Sequence, residues 1–499
     1  MNWKVIWLSL KEKDMRNRIL AVIGILLVFR VLAQLPVPIA NASTLHNLLQ
    51  NLFSSSSAPQ FLNFVNVLSG GALANFSIMI AGLGPYINAS IIMQLLTKAI
   101  PKLEALHKDG EFGQKKINQY TRILTFPLAI IQSIGSIYLI RQAAQSLGGS
   151  AASSITANPS ILQWVVMVSA LTGGSMLLMW LGELITEQSI GNGISLIITV
   201  GIVSRLPQNI KSIVTSFSSS HHWKIFNHWT LPFSRTTFYY SLIVIGSILL
   251  VTYLVVLLNE ASRNLTVSYA KRVQGNRAYG GVTTILPVKL ITAGVIPIIF
   301  AVAFLSVPSF VGQLLQGLHN SHWTTLGAKL VSWFSAPSST TFKTEGWLAY
   351  IYPVTYFVLV FIFTYFYTSI TFNAQEIAEN LHKQGGFIEG VRSGLQTEKY
   401  LSKIVNRLTF FGALSLATLA LLPIIAQIFV KVSVTIGGTS VLILVSVALQ
   451  TLRAVESRAY MVTYDNYTES DFFHDIEEEQ ADKNSKNSRF KLSKKLKRK

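Results

Sequence analysis

Few residues in this chain combine a type and a setting that could do chemistry. Arg30 and Glu183 are charges inside otherwise apolar runs. An ionisable group at membrane depth is a candidate ion or proton site. Both, however, stand near the ends of their runs, where a long side chain reaches the polar interface, so the structural reading is favoured. His221 and His222 could offer two metal ligands, but no third ligand is near, and a metal site is not expected. The patterns G-x-x-x-x-G-K-[ST], H-E-x-x-H and G-x-S-x-G are all missing, which removes the usual phosphate-loop, zinc-protease and serine-hydrolase chemistries. There is no cysteine, so neither a disulfide nor a thiolate metal site exists. The chain reads as a non-enzyme that implies no cofactor.

The elements that hold these residues belong to a bilayer. Half of the 499 residues are hydrophobic and 13% are charged, against roughly 25% in soluble domains. Mean hydropathy is +0.45. The net charge of +19 could suggest a nucleic-acid partner. In a polytopic membrane protein it reports the Lys and Arg of the cytoplasmic loops instead. The start does not read as a cleavable signal peptide: Arg30 interrupts the first apolar run, and Pro36-Val37-Pro38 follows with no small-residue cleavage site.

Apolar runs mark ten spans, at 19–35, 76–98, 123–141, 161–185, 194–214, 238–258, 290–314, 347–372, 408–430 and 437–454. Arg205, Pro207 and Gly437 make the fifth and tenth the weakest. Residues 1–18 read as a basic amphipathic helix on the cytoplasmic membrane surface. On the side of the N-terminus, that segment, the loops 100–122, 259–289 and 373–407, and the tail from 455 carry 30 Lys and Arg, against 5 in the connections on the other side. Both ends are therefore expected in the cytoplasm.

Ten spans divide into an N-terminal half (19–214) and a C-terminal half (238–456), joined by an external loop at 215–237 and followed by a disordered tail at 457–499. An odd number of spans per half makes two similar halves inverted, with a functional site at their interface. The connections 144–160 and 215–236 read as plain loops. The fold class is an all-α polytopic membrane protein of ten helices. Two inverted five-helix halves around a central pore rest on this topology together with the resemblance given below, since no clear internal repeat is visible.

The stretch from Phe64 to Leu96 changes character halfway. Ser77 to Leu96 is long enough to cross most of a bilayer. Ahead of it, Phe64, Val65, Asn66, Val67, Leu68, Ser69, Gly70, Gly71, Ala72 and Leu73 form a segment too short to span and broken by its glycines. Non-helical backbone at membrane depth survives only inside protein or against water. The segment is either a half-inserted element in a central cavity or a re-entrant anchor with no moving role. Gly82, Gly84 and Pro85 loosen the span that follows.

L-S-G-G-A-L at 68–73 and P-Y-I-N-A-S-I-I-M-Q-L-L at 85–96 resemble the SecY family of protein-conducting channels. The resemblance continues in order through Q-Y-T-R at 119–122, L-M-W-L-G-E at 178–183, I-G-N-G-I-S at 190–195, Y-A-K-R at 269–272, A-G-V-I-P at 293–297, F-N-A-Q-E-I-A-E-N-L at 372–381 and G-G-T-S at 437–440. It departs at Ser189, where Gly is more usual, at Ser393, where Pro is, and at Asn276, where a second Arg is.

The resemblance implies that 64–73 is a plug. It implies a pore ring of Leu83, Ile87, Ile194, Ile198, Ile299 and Ile443, which would block ions by dewetting. It implies a lateral gate between spans 2–3 and 7–8, with Gln94 at the seam. Lys271, Arg272, Arg277 and Arg392 would dock a SecA motor ATPase and the ribosome, through rRNA. The implied function is passage of unfolded preproteins across the bacterial plasma membrane and release of apolar segments into lipid. The implied partners are small membrane subunits of the SecE and SecG type, signal sequences and membrane lipid. A secondary transporter with inverted repeats is the alternative, and a purely structural membrane scaffold is a third. Transport would want an acidic residue deep in a span, and none stands out.

Overall fold

Each of the ten apolar runs lies on a helix in the computed structural model. It describes residues 13–37, 77–147, 160–204, 206–207, 223–225, 229–231, 235–269, 272–274, 277–279, 281, 283–316, 321–335, 337, 346–429 and 440–461. The first five runs lie on α1 (Lys13–Leu32), α2 (Gly84–Ala99), α4 (Glu111–Leu147), α5 (Ile161–Glu187) and α6 (Gly193–Val203), with a short polar helix α3 (Pro101–Lys108) between α2 and α4. The second five lie on α7 (Arg235–Glu260), α8 (Ile296–Gln316), α10 (Ile351–Thr371), α12 (Leu395–Phe429) and α13 (Ser440–Met461). A further helix, α9 (Ser321–Phe334), follows α8, and α11 (Ala374–Lys383) follows α10. Five helical stretches among the described residues have the length and hydropathy to cross a membrane. α6 is shorter, at 11 residues. Its expected continuation through Arg205 lies outside the described residues.

The second span starts later than its hydropathy suggests. The apolar run begins at 76, yet the helix begins at Gly84. Gly82 takes φ +58°, a left-handed value that few other residues adopt. Pro85 then sits in the first turn, where its missing N–H costs nothing. Residues 77–83 are non-helical yet buried, so their polar groups need partners. Ser77 Oγ donates to the Leu32 carbonyl at 2.9 Å, Ile78 N–H to the Leu35 carbonyl at 3.1 Å, and Ser175 Oγ to the Gly82 carbonyl at 3.1 Å. The Ile78 carbonyl lies flat against Gly174 of α5, where any Cβ would collide with it. Irregular backbone is tolerated here because protein, not lipid, surrounds it.

Four regions expected as connections carry structure. Residues 315–346 contain α9, which folds back along α8. Gly312 and Gly327 meet so closely that a Cβ on Gly312 would stand 2.9 Å from the Gly327 carbonyl oxygen. Such backbone approach replaces the hydrophobic drive that is missing between helices in lipid. The external loop 215–236, expected to be plain, carries a small hairpin, β1 (Trp223–Ile225) with β2 (Trp229–Leu231).

The loops 259–289 and 373–407 fold together. β3 (Ser262–Tyr269) lies between β6 (Thr283–Lys289) and β7 (Gly386–Ile388), antiparallel to both. β4 (Arg272–Gln274) and β5 (Arg277–Tyr279) form a separate hairpin between β3 and β6. Leu265, Val267, Val288, Ala378, Ile388, Leu401, Ile404 and Val405 make a second small core under the three-stranded sheet. The sheet ties these two loops of the C-terminal half together through apolar burial.

Candidate functional site

The six residues expected at the pore ring come from four helices, and each lies at a helix start. Leu83 is the N-cap of α2 and Ile87 lies in its first turn. Ile194 and Ile198 fall within the first six residues of α6, and Ile299 is the fourth residue of α8. Ile443 is the fourth of α13. Local signals set these starts. Asn192 caps α6, its Oδ1 accepting from the N–H groups of Ile194 at 3.1 Å and Ser195 at 3.3 Å. Gly294, at φ +60°, and Pro297 turn the chain into α8. Five of the six side chains are 0–8% exposed and belong to one continuous apolar cluster. Ile194 packs against that cluster from its edge. All six thus belong to or border the same large apolar core, which contains no buried Asp, Glu, Lys, Arg or His.

The turn that aims α6 contains Ser189 at φ +59°, the one positive-φ residue other than glycine among the described residues. It stands just after the C-cap of α5, Gln188, where glycine is the ordinary solution. A side chain in this conformation costs about 1–2 kcal/mol. Ser189→Gly should therefore stabilise the protein by about 1 kcal/mol. A denaturant midpoint that falls, or stays where it was, in purified protein would refute the strain.

Gln94 lies on α2, half-buried. Its Nε2 donates to Ser90 Oγ at 3.1 Å, and its buried Oε1 has no partner among the described residues. Both α2 and α4 pack on α8, and α10 packs on α8 as well. The seam expected between spans 2–3 and 7–8 is closed.

Of the two intramembrane charges, Glu183 has an ion-pair partner. Glu183 pairs with Arg122 at 2.8 Å, joining α5 to α4. These two residues come from the motifs L-M-W-L-G-E and Q-Y-T-R, and no sequence spacing announced that they meet. Arg30 lies in the last turn of α1. Among the described residues no group of three or more His, Cys, Asp or Glu could hold a metal ion. His221 and His222 lie outside the described residues.

Of the expected docking residues, Arg392 is exposed on the turn between β7 and α12. Ser393 supplies no proline ring, but the turn is held in other ways. Val391 N–H donates to the Ile388 carbonyl at 3.0 Å, and Thr397 Oγ1 to the Arg392 carbonyl at 3.0 Å. Arg272 stands opposite Tyr279, and Arg277 opposite Gln274, in the β4–β5 hairpin. Lys271 lies outside the described residues, as does the whole expected plug, 64–73.

A family model for SecY matches residues 77–452. The protein translocase subunit SecY of Streptomyces galbus is 37% identical over 461 residues, covering 92% of this chain and 98% of its own length. That of Mycobacterium tuberculosis is 37% identical over 470 residues, with the same coverage. The chain belongs to the SecY family. A solved protein-conducting channel shares its fold, with TM-score 0.59 and 19% identity over 87% of this chain and 91% of the other. Sec61 from a canine ribosome–channel complex does so at TM-score 0.56 and 18% identity, with the same coverage. As a SecY-family protein the chain is a multi-pass membrane channel subunit of a protein translocase, not an enzyme.

Proposed function

We propose that unfolded preproteins cross the bacterial plasma membrane through the centre of this helix bundle. Leu83, Ile87, Ile194, Ile198, Ile299 and Ile443 form the constriction. The observation that supports this reading is that these residues, from four separate helices, all lie in or against one apolar core. Branched apolar side chains exclude water and ions at rest. They make no specific hydrogen bonds, so they can part around many sequences.

The segment 64–73 is assigned the role of plug. The seam between α2 and α4 on one side and α8 and α10 on the other is the lateral gate. There an apolar signal segment passes into lipid by ordinary hydrophobic partition. Gln94 lies at that seam. Both termini are cytoplasmic, as the Lys and Arg distribution requires. The sheet β6-β3-β7 and the β4–β5 hairpin then face the cytoplasm. Lys271, Arg272, Arg277 and Arg392 present positive charge there to a SecA-type motor or to ribosomal RNA phosphates. Small membrane subunits of the SecE and SecG type complete the complex.

Reconstitution into vesicles with such subunits, a SecA-type motor, ATP and a labelled preprotein tests the proposal. The preprotein should become protease-protected only when a signal sequence and ATP are both present. Protection without a signal sequence, or none under any condition, would overturn it.

A further inference from the structure

The closed seam has one contact unlike the rest. Gly135, in the middle of α4, is buried, and the ring of Phe310 from α8 occupies the space its side chain would take. A Cβ on Gly135 would stand 2.7 Å from Phe310 Cε2 and 3.0 Å from Cε1, and closer still to Cζ. A flat aromatic ring seated in a glycine notch is a knob in a hole. It adds dispersion contacts along a helix pair that has no hydrophobic drive to associate in lipid.

The same seam also carries groups that favour opening. Ser136 on α4, and Ser309 and Gln313 on α8, bury polar atoms with no hydrogen-bond partner among the described residues. They flank the contact: Ser136 follows Gly135, Ser309 precedes Phe310, and Gln313 lies three residues on, along the same face. A buried polar group without a partner is costly, and parting the helices would hydrate it. The seam thus opposes one tight apolar contact to several unsatisfied polar ones, which is how a two-state element is poised.

The opposite face of α8 is fixed differently. Gly312, two residues beyond Phe310 and so about 200° around the helix, is pressed backbone to backbone against Gly327 of α9. Helices α8 and α9 therefore form one rigid leaf. Pro308 lies within α8 just before Phe310, where it removes a helix hydrogen bond and allows a hinge.

We propose that Phe310 in the Gly135 notch is the latch of the lateral gate, and that this pair sets how apolar a signal sequence must be to open it. The inference rests on the channel reading above. A strongly apolar segment gains enough in lipid to withdraw the ring from its notch. A weakly apolar one does not, and the seam stays shut.

The chain has no cysteine, so a single Ser309→Cys reports seam opening by its reaction with a small maleimide. In that background Phe310→Ala should raise the labelling rate about tenfold, since loss of the ring moves the closed–open balance. It should also allow export of a preprotein whose signal core is interrupted by a charge. Gly135→Leu fills the notch and should have the same two effects. Combining Gly135→Leu with Phe310→Ala lets the leucine occupy the space the ring vacated. Labelling and stringency should then return towards the parent.

Parental labelling and stringency in Phe310→Ala would overturn the latch, as would a double variant as permissive as its singles. Phe310→Ala introduces no steric clash and keeps the test valid if Gly135→Leu does not insert. An intact-signal preprotein separates the two levels. If the parent chain fails to export it, the channel reading falls. If the parent exports it and Phe310→Ala discriminates as the parent does, only the latch falls.

Discussion

Asparagine at both Ile87 and Ile299 opens a resting ion leak. Both side chains are buried in the central cluster, from α2 and α8 respectively. Two amides there bring water into the proposed constriction, whose barrier to ions rests on dryness. The expected resting conductance in planar bilayers, with no preprotein present, is at least about tenfold above the parent. The closed state loses stability relative to the open one, so weak signal sequences are also accepted more readily. Each buried amide costs stability as well, about 1–3 kcal/mol on protein scales. The comparison therefore includes Ile87→Val with Ile299→Val, which keeps the ring apolar and should stay tight. Asparagine variants as tight as the parent would reduce the six residues to ordinary packing.

Charge reversal at Arg392 separates docking from folding. The side chain is exposed, on a turn whose backbone is held by Thr397 and Ile388 rather than by the guanidinium. Arg392→Glu should change stability by no more than about 0.5 kcal/mol. Motor-driven translocation should nevertheless fall about tenfold or more, because a carboxylate now faces the acidic or phosphate partner that arginine met. Arg392→Lys should retain an intermediate rate, since lysine keeps the charge but not the bidentate fork. The check is the initial rate of preprotein protection in vesicles at fixed motor concentration. An undiminished rate in Arg392→Glu would remove Arg392 from the docking surface.

Much of this was legible in the chain itself. Hydropathy placed all ten spans on helices, because a bilayer admits little else. The expected ring residues came from the family resemblance, and helix-start signatures explain only where they fall on their helices. Asn192 before α6, Pro85 in α2 and Gly294 with Pro297 before α8 fix where each helix begins, and so which apolar residue comes first. The family motifs supplied which of the many isoleucines to choose. Ser189 shows local strain that the sequence had already marked, as a residue standing where glycine is more usual.

Other features depended on neighbours distant in sequence, and there local signals were silent. Nothing in 77–83 announces a non-helical segment, because its apolar run continues through it. Only the Gly174 surface and the Ser175 hydrogen bond from α5 make that backbone tolerable. α9 looked like a connection, because a Gly327–Gly312 contact lies between helices and leaves no periodic mark on either. The Arg122–Glu183 pair and the Phe310–Gly135 notch each join residues from separate helices. The sequence by itself determined that the chain crosses a membrane and roughly where its apolar helices lie, since these follow from solvent transfer and local backbone chemistry. Only the tertiary structure decided which helix faces meet, since in lipid that choice rests on shape and polar satisfaction between whole surfaces.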